Sequence, residues 1–469
     1  MSVAELELGG APVVEEVGLK RVLGTRDLIL FGVTMMFPLA PIAVYLDVTS
    51  ATGGHMASAY VVAMIAMMFT ALSYGAMAGA FPRAGSTYTF TRNGLNQYLG
   101  LLAGWSIMLD YLLFPTLNYI ILAYLASTLI GGLDYWVWVI GAVAIVTFFN
   151  LVEVRWLARI SAILVAVCIV VIAWFVISSI ATLSGGAGAG TIVSSKPFFG
   201  DGLNLDMLLG GTAIACLSYL GFDAISTLAE ETRNPGRSVS IAMVAAVAIV
   251  TVLFIVQAYF AQLVHPDYTN LPGGPDAFTQ IFRDAGGEIL AKVLAIAVVT
   301  AAIANSVDAT GGASRLLYGM GRDGVLPKRI FGYIWPRSAT PVINVAIIAV
   351  VSILLATKDL TIIIAMINFG ALFAFFLVNL AVISHFVIRG GRRSPADLVR
   401  YLVAPLIGAV VIIWLWFNLQ SISWLVHFRA PDDILLAAPV IWLLLGVAYI
   451  VLVSRFFTKP LPELKETHL

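Results

Sequence analysis

The chain has 469 residues, 60% hydrophobic and 11% charged, with 26 basic side chains against 26 acidic ones and a mean hydropathy of +0.97. So little charge over such a length excludes a water-soluble globular protein, and the even balance offers no basic surface to a nucleic acid. What remains is an all-α integral membrane protein, held in membrane lipids by apolar runs of about 20 residues each.

Residues 1–26 hold Glu5, Glu7, Glu15 and Glu16 and no apolar h-region, so they read as a cytoplasmic tail and not as a signal peptide. Twelve apolar segments follow, at 27–47, 56–80, 99–131, 135–152, 159–183, 205–231, 237–263, 287–320, 340–356, 361–389, 400–424 and 433–457, and residues 458–469 form a second tail. The connection "SGGAGAGTIVSSKPFFGDGLN" (184–204) reads as flexible, and "HPDYTNLPGGPDAF" (265–278) as an ordered, turn-rich outer loop. With the N-terminus inside, 21 of the 26 Lys and Arg side chains fall on the cytoplasmic side. Only Lys196, Arg283, Lys292, Lys358 and Arg429 fall on the other. That bias predicts a multi-pass protein of the plasma (inner) membrane with both termini in the cytoplasm. Cys168 and Cys216 lie in apolar spans and read as small core residues.

The first segment contains "FGVTMMFPLAPIAVY" (31–45), with Gly32, Pro38 and Pro41. Proline lacks an amide proton and clashes with the turn before it, so this pair breaks the helix and releases the carbonyls of Thr34 and Phe37. Five segments later, "LLGGTAIACLSYLGFDAISTLAEE" carries Gly210, Gly211 and Gly221, followed by Asp223. Interrupted helices in corresponding positions of two halves mark a secondary transporter whose site lies at their junction. The predicted organisation is two five-helix inverted repeats, 27–183 and 205–389, with helices 1 and 6 broken, 184–204 between them and two extra helices in 390–457.

Asp110, Asp223 and Asp308 lie inside spans with no Lys or Arg at matching depth. An ionisable residue there costs ~2.5–3.5 kcal/mol on the insertion scale, so each needs a partner or a task. The negative excess suits a small cationic substrate or a bound proton. Asp223 follows the second break, where it either serves substrate or proton or ties off freed backbone donors. Asp308 has Asn305 and Ser306 close by, which makes an ion or proton site or a packing cluster. Tyr111, Pro115 and Asn118 share one face of the third helix, with Asp110 about 100° away. Phe37, Tyr111, Tyr219 and Phe222 are placed to add cation–π contacts.

No G-x-x-x-x-G-K-[ST] loop is present, which excludes an ATP-driven pump within one chain. The histidines at 55, 265, 385, 427 and 468 sit at span ends or outside them, so no enzyme, metal site or cofactor is expected.

"SYLGFDAISTLAEETRNPGRSVSIA" (218–242), "ASRLLYGMGRDGVLPKRI" (313–330) and "FPRAGSTYTF" (81–90) resemble the amino acid–polyamine–organocation superfamily. The resemblance runs along essentially the whole chain and implies a five-plus-five inverted repeat. "GWSIMLDYLLFPTLN" (104–118) and "GGHMASAYVVAMIAMMFTALSYG" (53–75) are similar to its putrescine-importer-like branch. In amino acid members, a Gly-Ser-Gly-like run at the first break holds the substrate carboxylate, and here those positions look like Met36, Phe37 and Pro38. The family's carbonyls for a substrate amino group would fall at Ser218, Tyr219 and Leu220, with the bend at Gly221. Some members carry a lysine in helix 5 in place of sodium. Segment 5 has none, and Cys168 occupies that region, leaving Asp223 or Asp308 to carry a proton, with sodium possible. The resemblance and the donor-poor break together predict an importer of a small organic amine working by alternating access. The alternative is an amino acid transporter or amino acid/amine exchanger.

Overall fold

Two prolines and a few glycines decide where the helices of this chain stop. The computed structural model describes residues 23–82, 86–151, 157–200, 202–322, 326–335, 340–419, 422 and 437–453. The expected tails, apart from residues 23–26, lie outside them. The described residues form an all-α protein whose only strand-like features are the isolated bridges Leu23–Thr232 and Trp335–Thr340. Eight of its helical runs are long and apolar enough to cross a membrane.

The first expected segment is two helices, α1 (Thr25–Met35) and α2 (Pro41–Ala51). Pro41 takes the first position of α2, where its missing N–H leaves nothing unsatisfied. Phe37, between them, adopts the left-handed conformation with φ 51°. There follow α3 (Met56–Ala80), α4 (Ser86–Gly94), α5 (Gln97–Leu129), α6 (Tyr135–Leu151) and α7 (Leu157–Ser184). The second break lies in the run that starts with α8 (Leu205–Ala215), passes through a 3₁₀ turn at Cys216–Tyr219, and resumes as a 3₁₀ stretch at Asp223–Glu231. Gly221 turns the corner with φ 106°, and a Cβ there would lie 3.0 Å from the Met35 backbone. The two breaks therefore touch.

Beyond them come α9 (Pro235–Val264), α10 (Pro275–Arg322), α11 (Lys328–Phe331), α12 (Val342–Leu355) and α13 (Leu360–Val382), which continues as a π-helical turn to Arg389. The chain closes with α14 (Pro395–Leu398), α15 (Ala404–Phe417) and α16 (Ala438–Val453). The apolar helices α6, α12 and α16 are shorter than the eight long runs.

Two expectations need correction. Residues from Pro275 onward are helical, not loop: proline at the first position and Asp276 in the first turn start a helix that kinks at Gly286 and Gly287. The 184–204 connection is tied down. The Ala189 amide donates to the Leu263 carbonyl (2.8 Å), the Ser194 amide to the Tyr259 hydroxyl (2.9 Å) and the Ser58 hydroxyl to the Phe198 carbonyl (2.6 Å).

Small residues bring α1 and α3 hard against α9. A Cβ on Gly32 would meet Ala246 at 3.1 Å, and one on Gly79 would meet the Gly236 Cα at 3.0 Å. Such close backbone approach is how membrane helices gain packing where lipid offers no hydrophobic drive. Gly221→Ala should lower the thermal unfolding midpoint, because it adds a left-handed strain and a backbone clash together worth about 1–3 kcal/mol. Gly210, mid-helix in open space, is the control: Gly210→Ala should hold or raise the midpoint, by about 0.5–1 kcal/mol.

Candidate functional site

The backbone of the first break uses most of its own donors, and between α1 and α2 the Leu39 amide is the one left without an acceptor among the described residues. The amides of Met36, Phe37 and Ala40 donate to the carbonyls of Gly32 (3.0 Å), Thr34 (3.2 Å) and Phe37 (2.8 Å). At the start of α2, Ile42 and Ala43 donate to Leu39 (3.1 Å) and Ala40 (3.0 Å), while Pro38 and Pro41 have no N–H at all. The carbonyls expected to be free, Thr34 and Phe37, are thus occupied, because the chain tightens into three-residue turns at the break. Those of Met35 and Met36 accept no hydrogen bond from a described residue. The Pro38 carbonyl accepts from Gln257 Nε2 at 2.9 Å, a tie from α9 that the sequence did not signal.

At the second break Asp223 is 2% exposed, and its carboxyl accepts from the Tyr111 hydroxyl at 3.4 Å. The Ala224 amide donates to the Gly221 carbonyl at 3.2 Å. Tyr219 is fully buried, donating to the Tyr60 carbonyl (3.1 Å) and accepting from Thr251 (3.0 Å), while Phe222 packs edge-on against Tyr74.

Between the breaks, α5 and α10 lies a small cavity. Of the expected residues, Met36, Phe37, Asn118, Ser218, Leu220 and Asn305 line it. Thr34 and Pro38 line a second, smaller cavity against α7, together with Cys168 and again Phe37 and Asn305. Asp110, Tyr111, Tyr219, Gly221, Phe222, Asp223 and Asp308 line neither. Phe37 is then the one expected cation–π partner at a cavity wall. Asp308 is half-buried on α10, and the charge it faces is that of Arg315 on the same helix.

The lining face of α5 also differs from the expected one. Phe114, Leu117, Asn118 and Ile121 face the cavity, and Tyr111 and Pro115 do not. The i, i+3, i+7 stripe of Phe114, Leu117 and Ile121 was readable, but α5 is buried almost all round and no polar face marks the register. Asn118 is 6% exposed and its Nδ2 has no partner; Asn305, across the cavity on α10, is 8% exposed.

Comparison with known proteins follows the fold. The amino acid permease family model matches residues 23–452. The chain is 33% identical over 456 residues to the low-affinity putrescine importer PlaP of Escherichia coli, covering 97% of this chain and 98% of that one. It is 26% identical over 471 residues to the branched-chain amino acid permease BcaP of Bacillus subtilis, covering 95% of each chain. It is 28% identical over 352 residues to the vacuolar cationic amino acid transporter 4 of Arabidopsis thaliana, covering 71% of this chain and 57% of the relative. These relatives are transporters, not enzymes.

Gln257→Leu should lower the unfolding free energy by about 1–3 kcal/mol, since it strands the buried Pro38 carbonyl. Thermal unfolding in detergent would show it, and an unchanged midpoint would mean the tie is dispensable.

Proposed function

Because the chain belongs to the amino acid permease family, we propose that it is a secondary active transporter that imports a small organic amine, putrescine-like or a monoamine, by alternating access. One observation carries the reading: the first break is poor in free donors. Pro38 and Pro41 have none, the amides of Met36, Phe37, Ala40, Ile42 and Ala43 are used, and that of Leu39 is the one left without an acceptor among the described residues. Anions bind where a helix N-terminus presents free amides. Here the open ends are carbonyl ends, those of α1 and of the Cys216–Tyr219 turn, which carry partial negative charge. An ammonium group fits such a site and a carboxylate does not. The relative that imports putrescine supports the same substrate class.

In this reading the chain crosses the plasma membrane twelve times, with both termini in the cytoplasm and helices 1–5 and 6–10 as inverted repeats. Asp223 carries the coupling proton, with Asp110, Tyr74 and Tyr111 as its titratable neighbours. A second reading, an amino acid permease, draws on the apolar walls of the cavity and on the branched-chain relative.

Uptake into proteoliposomes separates the readings: putrescine should be taken up and saturate, while arginine, alanine and leucine should not compete. Competition by the amino acids alone would overturn the amine reading. Asp223→Asn should flatten the dependence of putrescine uptake on pH, and an unchanged pH profile would clear Asp223 of the coupling role.

A further inference from the structure

Asp110 is the carboxylate that neither break uses. It is 6% exposed and makes no hydrogen bond or ion pair with a described residue. The hydroxyls around it are committed elsewhere, Tyr111 to Asp223 at 3.4 Å and Tyr74 to Thr87 at 2.6 Å. The charged group facing it is another carboxylate, Asp223. A buried polar group without a partner calls for an explanation, and for an acid a cationic ligand supplies one.

Its place on α5 gives that cation a shape. Asp110, Phe114, Leu117 and Ile121 fall at i, i+4, i+7 and i+11, so Asp110 continues the stripe that lines the cavity, one turn toward Gln97. Asn118, at the cavity wall with a side-chain carbonyl able to accept from an ammonium, stands eight residues away, about 80° round the helix and about 12 Å along it at 1.5 Å per residue. An extended four-carbon diamine holds its nitrogens about 6 Å apart across five single bonds. A charge-assisted hydrogen bond at each end adds about 2.8 Å, which brings the span to about 12 Å.

Resting on the amine reading above, we propose that Asp110 is the second pole of the site. One ammonium of a short α,ω-diamine lies among Asn118 and the carbonyls of the first break, and the other reaches Asp110. Phe114, the residue between them on the stripe, must turn aside to admit the chain. The site thereby selects diamines over monoamines, and by length.

The test compares the affinities of wild type, Asp110→Asn and Asp110→Glu for putrescine, butylamine and leucine in the purified full-length protein. Asp110→Asn should weaken putrescine about 10- to 100-fold, the worth of one charged hydrogen bond. Butylamine, which lacks the second nitrogen, should change by less than about two-fold and so reports that the variant is folded. Asp110→Glu, with one more methylene, should shift preference toward the three-carbon diamine. Equal binding of putrescine and butylamine by wild type, or putrescine binding unaltered in Asp110→Asn, would overturn the second pole while leaving the amine reading intact. Binding of leucine without either amine would overturn both.

Discussion

Everything at the centre of this molecule depends on which backbone groups are left without a partner. Within a membrane, an unpaired amide or carbonyl cannot turn to water, so a broken helix is tolerated only where something else satisfies it. Pro38 and Pro41 remove two donors from the first break, the last turn of α1 takes the amide of Met36, and three-residue turns absorb those of Phe37 and Ala40. At the second break the Asp223 carboxyl accepts from the Tyr111 hydroxyl at 3.4 Å. The first break is left with more unpaired carbonyls than amides, those of Met35 and Met36 against the amide of Leu39.

Holding two broken helices in contact demands a stiff frame. The small residues where α1 and α3 meet α9 supply part of it, with Gly32 against Ala246 and Gly79 against Gly236. Gln257 adds a polar strut from α9 to the Pro38 carbonyl. Elsewhere, Trp105 of α5 and Trp442 of α16 stack at 4.5 Å and each donates its indole N–H to the other's carbonyl. The cavity therefore lies between well-packed walls, and a transport cycle must move those walls as bodies and not dissolve them.

The breaks were legible because proline and glycine act locally. Pro38 and Pro41 cannot continue a helix whatever surrounds them, and Gly221 turns with a positive φ against the Met35 backbone. Asn118 and Asn305 were legible as polar residues in apolar spans. The register of α5 was not, because a helix buried on nearly every side gives no amphipathic signal and Pro115 drew attention to the wrong face. The acceptors of the first break were misassigned for a related reason. Losing an i→i−4 bond does not free a carbonyl if a shorter turn reclaims it, as happens at Thr34 and Phe37. The 184–204 link looked flexible from its glycines and serines, but its tethers, Ser58, Tyr259 and Leu263, lie far away in the sequence.

The central claim is that the first break meets the substrate with its unpaired carbonyls, those of Met35 and Met36. A cryo-EM structure with putrescine bound tests it most directly. The account predicts a nitrogen against the Met35 and Met36 carbonyls at the end of α1. A bound amino acid with its carboxylate seated at the start of α2, or putrescine held away from the break, would contradict it.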